Sequence, residues 1–173
     1  TYHCANGEVH NLQDMAQALD NSCNLWFIQA AQTLQPTVFY DYIQAFGFTQ
    51  PTGIDLPSET RWTSVYNAQQ MAEVDTNLYT AAFGQNEAIT PMQMATAIAA
   101  IANGGYLVTP YIVDSVTDNA GNIVSQTETN IRRQVISEEV SKELLAMMEN
   151  NVDPNGTESI RHSCSNAYVA GYR

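Results

Sequence analysis

The sequence predicts a mainly α-helical fold carrying one small β-hairpin. Three observations lead there. Apolar residues recur at helical spacing from Leu12 through Ala31, and a capped, nearly all-apolar stretch begins at Thr90. A double glycine, Gly104-Gly105, then hands over to short strand-like runs around a polar turn.

Between Asn11 and Leu34 the spacing predicts two helical stretches, with Leu12, Met15, Ala16 and Leu19 on the first and Leu25, Phe27, Ile28 and Ala31 on the second. Asp20-Asn21-Ser22 interrupts them, three residue types whose side chains compete for backbone hydrogen bonds and favour caps and turns. Ser22 and Asn24 therefore fall at a helix-to-helix junction, where side chains project into a cleft. Pro36 opens a third helix with Phe39, Ile43 and Phe46 on one face and Gly47 as its stop. Phe48 to Ser58, punctuated by Pro51, Gly53 and Pro57, is a loop in which Ile54 and Leu56 are expected to plug the core. Arg61 to Phe83 has a weak pattern, expected to be loop with one irregular helix.

Thr90 is the N-cap of the clearest helix, with Pro91 at its first position and Gln93 as the reciprocal partner of a capping box. Met94, Ala95, Ala97, Ile98, Ile101 and Ala102 follow, and Gly104 stops it. Being apolar nearly all round, this helix is expected to be central and buried on most sides. Tyr106-Leu107-Val108, Tyr111 to Val116 and Ile123-Val124 are strand-like and form a hairpin around Asp118 to Asn122. Ser137 caps a last helix through Asn150, with Val140, Leu144, Leu145 and Met148 as its stripe and Asp153-Pro154-Asn155-Gly156 beyond it. The chain is thus one partial domain over 1–173: helical from about 11 to 104, hairpin from about 106 to 128, helix from about 137 to 150, and a closing segment over 157–173.

At 173 residues the chain is long enough to bury a core. Its formal charge of −12, from 18 acids against 6 bases, excludes the basic face that nucleic-acid binding requires. The longest weakly polar run, Met94 to Ala102, is too short to span a bilayer. Cys4, Cys23 and Cys164 are odd in number and lack C-x-x-C spacing, and His3, His10 and His162 are scattered. Buried or unpaired thiols are therefore expected, with neither a disulfide framework nor a structural zinc site. No cofactor or metal is implied.

The chemistry-bearing residues centre on Ser22-Cys23-Asn24. Alone, that triplet reads as a helix cap at Ser22. It has company: Ala18-Leu19 before it and Phe27 after it, then Phe46-Gly47-Phe48, Thr52-Gly53-Ile54-Asp55-Leu56-Pro57, Phe83-Gly84-Gln85, Ile89-Thr90-Pro91-Met92-Gln93-Met94 and Ala102-Asn103-Gly104-Gly105. In that order the blocks resemble the transpeptidase domain of class B penicillin-binding proteins, particularly those of Gram-positive bacteria, from about Leu12 to Arg173.

The family carries three active-site motifs: Ser-x-x-Lys with the nucleophile, Ser-x-Asn, and Lys-[Ser/Thr]-Gly along the cleft. This chain's single lysine, Lys142, follows Glu139 by three residues and precedes Glu143, so neither lysine motif is present. The resemblance implies an internal fragment between them: the helical part of a penicillin-binding/β-lactamase-like domain with most of the central sheet missing, inactive by itself. For the parent protein it implies a serine-type D,D-transpeptidase that cross-links peptidoglycan stem peptides through an acyl-serine intermediate and is inhibited by β-lactams. Cell-wall synthesis machinery would be its partner, and an N-terminal helix absent from this chain would anchor it outside the cytoplasmic membrane.

Carried over residue by residue, Ser22 would relay a proton between the catalytic lysine and the leaving nitrogen, and Asn24 would hydrogen-bond that lysine and the acyl group's amide. Cys23 would point away from the cleft. The chain departs from the pattern at Ser58, where the family usually has the glycine of Pro-Gly-Glu, and at Asn11 and Gln35, where glycines are common. A non-catalytic helical binding or scaffold module, or a penicillin-sensor domain of the same fold, are the alternatives. Apolar surface where the sheet would pack predicts self-association of the fragment.

Overall fold

The computed structural model describes residues 2–4, 7–60 and 63–150. The helices are α1 (Met15–Asp20), α2 (Asn24–Gln32), α3 (Pro36–Ala45), α4 (Ala68–Glu73), α5 (Asp75–Ala82), α6 (Pro91–Ala102) and α7 (Glu138–Asn150). The strands are β1 (Tyr106–Thr109), β2 (Ser115–Thr117), β3 (Ile123–Gln126) and β4 (Asn130–Gln134). The helix-rich fold predicted by the sequence is the observed one. The segment over 157–173, with His162 and Cys164, and the Asp153 to Gly156 turn lie outside the described residues.

Capping chemistry sets most helix starts. Asp14 accepts from the Gln17 amide at 2.9 Å while Gln17 accepts from the Asp14 amide at 3.0 Å, so α1 begins at Met15. Leu12, expected on that helix, lies before the cap and is fully exposed. A second such box, Asn67 with Gln70, starts α4. The expected single irregular helix before Phe83 is in fact two helices, broken at Val74, whose backbone is extended (φ −138°, ψ 101°). A third box, Thr90 with Gln93, starts α6 as predicted. Gly104 ends it at φ 87°, with the Gly105 amide reaching back to the Ala100 carbonyl at 2.8 Å.

Ala31, Ile43, Met71, Leu78 and Ala81 form the main core, with Phe39, Tyr40, Phe48, Val65, Tyr66 and Tyr79 packed on it. It joins α2 to α5, α3 to α4 and α4 to α5. Helix α6 packs on β1 and α7, and α7 also meets α1. Ser141 locks α7 to α6 by donating to the Ile101 carbonyl at 2.5 Å.

Helix α6 departs from expectation. Gln93, Thr96, Ala97 and Ala100 are buried, but Pro91, Met94, Ala95 and Ile98 are exposed, Met94 to 44%. Its small residues admit β1 and α7 on one side only, so the opposite apolar face is uncovered among the described residues.

The β region also needs correction. The turn from Asp118 to Asn122 does join a hairpin, β2 with β3, and Asp118 accepts from the Ala120 and Asn122 amides at 2.8 and 2.9 Å. Strand β1 is not part of it. It pairs antiparallel with β4, Leu107 opposite Arg133, in a separate two-stranded sheet. Strand β4 escapes a search for alternation because Ile131 is the only apolar residue in Asn130–Gln134. Its Arg133 is spent on the end of α3, donating to the Ala45 carbonyl at 2.7 Å and the Gln44 carbonyl at 3.0 Å, where a cation suits the helix C-terminus.

Candidate functional site

The turn between α1 and α2 is a complete Schellman closure. Asn21 is the C-cap of α1. The Ser22 amide donates to the Leu19 carbonyl at 3.1 Å, and the Cys23 amide to the Ala18 carbonyl at 2.9 Å. Such a closure needs a left-handed residue just past the cap, a place usually filled by glycine. Here it is Ser22, at φ 48°. An L-residue in that conformation carries strain on the order of 1–2 kcal/mol.

The consequence is a sharp division of side chains. Ser22 is exposed, Cys23 is buried, and Asn24 is the half-buried first residue of α2. The capping reading of Ser22 fails: Cys23 is the N-cap of α2, and no side chain caps that helix. Cys23 packs with Cys4 and Ala18 under Trp26, and Trp26 meets Phe27 edge-on at 5.2 Å.

His3 and Cys4 meet this junction, and Tyr2 packs on the aromatics of α5 and its end. Tyr2 sets its ring edge-on against Tyr79 at 5.8 Å and Phe83 at 6.4 Å. The His3 carbonyl accepts from Asn24 Nδ2 at 3.1 Å. Cys4 Sγ stands 3.6 Å from Cys23 Sγ, both thiols free and buried. His10, which has no metal-ligand spacing to a cysteine in the sequence, brings a ring nitrogen to within 4.8 Å of both sulfurs. No signal in the sequence marks this grouping, because it depends on the extended start of the chain folding back on the α1–α2 turn.

The Thr52 to Pro57 loop is braced by carboxylates rather than by apolar plugs. Glu59 accepts from the Thr52 amide at 2.7 Å, the Thr52 hydroxyl at 2.6 Å and the Gly53 amide at 2.9 Å. Burial raises the Glu59 pKa, but those hydrogen bonds and the charge of Arg132 outweigh it and leave the pKa below its ordinary value. Asp55 accepts from the Val113 and Ile112 amides, both at 2.9 Å, which holds its pKa low. Leu56 is 48% exposed and Ile54 only partly buried, so the expected core plugs are a correction: polar anchoring leaves the loop on the surface. Ser58, in place of the family's usual glycine, keeps a glycine-like φ of 66°.

The chain as a whole is similar to known proteins. The family described as "Penicillin binding protein transpeptidase domain" matches residues 2–171. Stage V sporulation protein D of Bacillus subtilis is 37% identical over 168 residues, covering 95% of this chain and 24% of that protein. A peptidoglycan synthetase from Bifidobacterium adolescentis superposes with a TM-score of 0.76 at 27% identity, over 87% of this chain and 27% of that one. Penicillin-binding protein A of Mycobacterium tuberculosis, in a ceftriaxone acyl-enzyme complex, gives 0.68 at 25% identity, over 81% and 31%. The chain therefore spans about a quarter of the length of the curated relative.

Proposed function

This chain belongs to the penicillin-binding protein transpeptidase family, and on that premise we propose that it is the segment of a peptidoglycan D,D-transpeptidase that supplies Ser22 and Asn24 to the acyl-transfer site. The observation that carries the reading is the α1–α2 turn, which holds Ser22 out in a strained left-handed conformation while Cys23 is buried and Asn24 opens α2. Left-handed strain alone does not single Ser22 out, since Ser58 and Asn86 share it; at Ser22 it falls on the Ser-x-Asn motif, and that coincidence supports a side chain retained for chemistry.

In the proposed reaction a serine activated by lysine, both from the Ser-x-x-Lys motif, attacks the D-Ala-D-Ala carbonyl of a stem peptide. The ester forms as the bond to the terminal D-alanine breaks. The Ser22 hydroxyl takes the proton from the lysine and passes one to the departing nitrogen, and the reverse relay serves the incoming amine of the neighbouring strand. Asn24 hydrogen-bonds the lysine and the acyl amide, while the His3 backbone carbonyl accepts from its Nδ2. β-Lactams, as mimics of the dipeptide, stop at the first ester.

The parent works outside the cytoplasmic membrane with the cell-wall synthesis machinery. No helix among the described residues is long and apolar enough to cross a membrane. The chain alone, with no serine three residues before a lysine, is inactive. The α6 face left uncovered among the described residues supports self-association of the isolated chain. A monomer at high concentration in light scattering would contradict that.

Covalent labelling by a fluorescent penicillin tests the assignment. The expected result is no adduct on the 173-residue chain, and an adduct on a longer chain that includes both lysine motifs. In the longer chain Ser22→Ala slows labelling by roughly 100-fold or more. An adduct on Ser22 itself, or undiminished labelling of Ser22→Ala, contradicts the proposal.

A further inference from the structure

We propose that the pocket flanking the α1–α2 turn receives the aliphatic primary amine of the neighbouring strand, the nucleophile that resolves the acyl-enzyme. The inference rests on the D,D-transpeptidase reading above and adds a site for the second substrate. The loop before α1 and the far end of that helix line a pocket of about 360 Å³, at the small end of the ~300–1,000 Å³ that ligand sites span. Its lining joins exposed apolar side chains to a carboxylate.

Position along the chain brings this pocket to the reaction. Asp20 and Asn21 line it and directly precede Ser22, whose exposed side chain stands on the left-handed turn. Asn21 Nδ2 donates to Gln13 Oε1 at 3.1 Å, which ties the loop before α1 to the turn that presents Ser22. Consecutive Cα atoms are about 3.8 Å apart, so a group held beside Asn21 is within a side chain's reach of the hydroxyl that relays protons.

Chemistry selects the ligand. The titratable side chains lining the pocket are the half-buried Asp20 and His10, and no Lys or Arg lines it. His10 itself faces a carboxylate, its Nε2 standing 3.6 Å from Glu8. A helix C-terminus favours a cation, yet the last turn of α1 holds no basic residue. Val9 and Leu12, exposed to 88% and 104%, offer apolar surface to the methylene groups of a ligand stem. An ammonium at the end of an aliphatic stem satisfies both parts of the lining, and an anion satisfies neither. Attack by this amine forms the amide C–N bond and breaks the ester C–O bond. Of the three protons on the ammonium, one stays on the amide, one passes through Ser22 to the nucleophile's oxygen and one leaves to solvent.

The test partitions one acyl-enzyme between water and amines. A longer chain carrying both lysine motifs is acylated by an N-acyl-D-alanyl thioester in the presence of Nα-acetyl-lysine amide or its diaminobutyrate homologue of shorter stem. Mass spectrometry counts the hydrolysis and aminolysis products. Both arise from the same acyl-enzyme, so their ratio does not depend on the rate of acylation. The proposal predicts saturable aminolysis that favours the longer stem. Asp20→Asn should lower the ratio of aminolysis to hydrolysis by about 10-fold or more. Leu12→Asn, at a fully exposed position that the fold does not need, should cut the preference for the longer stem by about 3-fold or more. An acyl-enzyme that forms but partitions identically in both variants overturns the proposal and leaves the transpeptidase reading standing. A longer chain that forms no acyl-enzyme overturns both.

Discussion

Gln93 Nε2 donates to the Gln50 carbonyl at 2.8 Å, so one buried side chain fastens the start of α6 to the loop after α3. The same amide nitrogen approaches the Phe48 carbonyl at 3.3 Å, and Gln93 Oε1 accepts from the Thr90 amide at 2.8 Å. Gln93→Ala orphans the Gln50 carbonyl and the Thr90 amide together. The expected loss is about 1–3 kcal/mol, read as a lower urea midpoint at unchanged slope. An unshifted midpoint would mean that water replaces the side chain without penalty.

Gly105 has φ 92°, and a Cβ there would stand 1.9 Å from the Ile136 carbonyl oxygen. The Val135 amide also donates to the Gly105 carbonyl at 2.7 Å, so the backbone has little room to retreat. Gly105→Ala is expected to cost about 3 kcal/mol or more and to disturb the pairing of β1 with β4. Thermal melting and amide exchange at Leu107 report it.

Ser58 invites the opposite change. It is exposed and left-handed at φ 66°, and Ser58→Gly should stabilise the chain by about 1 kcal/mol. The Glu59 contacts to Thr52 and Gly53 should be undisturbed, which amide exchange at Gly53 would reveal.

Glu87 is half-buried between α5 and α6, and burial pushes its pKa up to about 7 from an ordinary 4.5. Between those values the folded chain holds a proton that the unfolded chain has released, so stability falls as pH rises through this window and levels off above it. Glu87→Gln removes that dependence. The variant should match the parent near pH 4 and exceed it at pH 8 by on the order of 1 kcal/mol, allowing for solvent screening at a half-buried site. Denaturant midpoints across that range check the sign.

Local chemistry made much of the fold legible. Thr90, Pro91 and Gln93 announce α6 through capping, and Pro36 announces α3, because these signals depend on neighbours in sequence. What stayed hidden depends on distant partners. Strand β4 is nearly polar because Arg133 reaches carbonyls of α3. The buried face of α6 carries Gln93 and Thr96 while the exposed face carries Met94 and Ile98, so hydrophobic periodicity points to the wrong side. At the candidate site, Ser22 and Asn24 were found by their motif in the company of other blocks. The left-handed turn was not foreseen, since serine is an uncommon residue there, nor was the convergence of Cys4 and His10 on Cys23.

Ser22→Gly gives the most direct measurement of the central claim, because glycine suits the turn better than serine and lacks the hydroxyl. In a longer chain carrying both lysine motifs, the account predicts a rise in stability of about 1 kcal/mol together with a fall of roughly 100-fold or more in the rate of acylation by a fluorescent penicillin. Acylation at the parent rate in a stabilised Ser22→Gly protein would contradict it, leaving the strained serine without a chemical role.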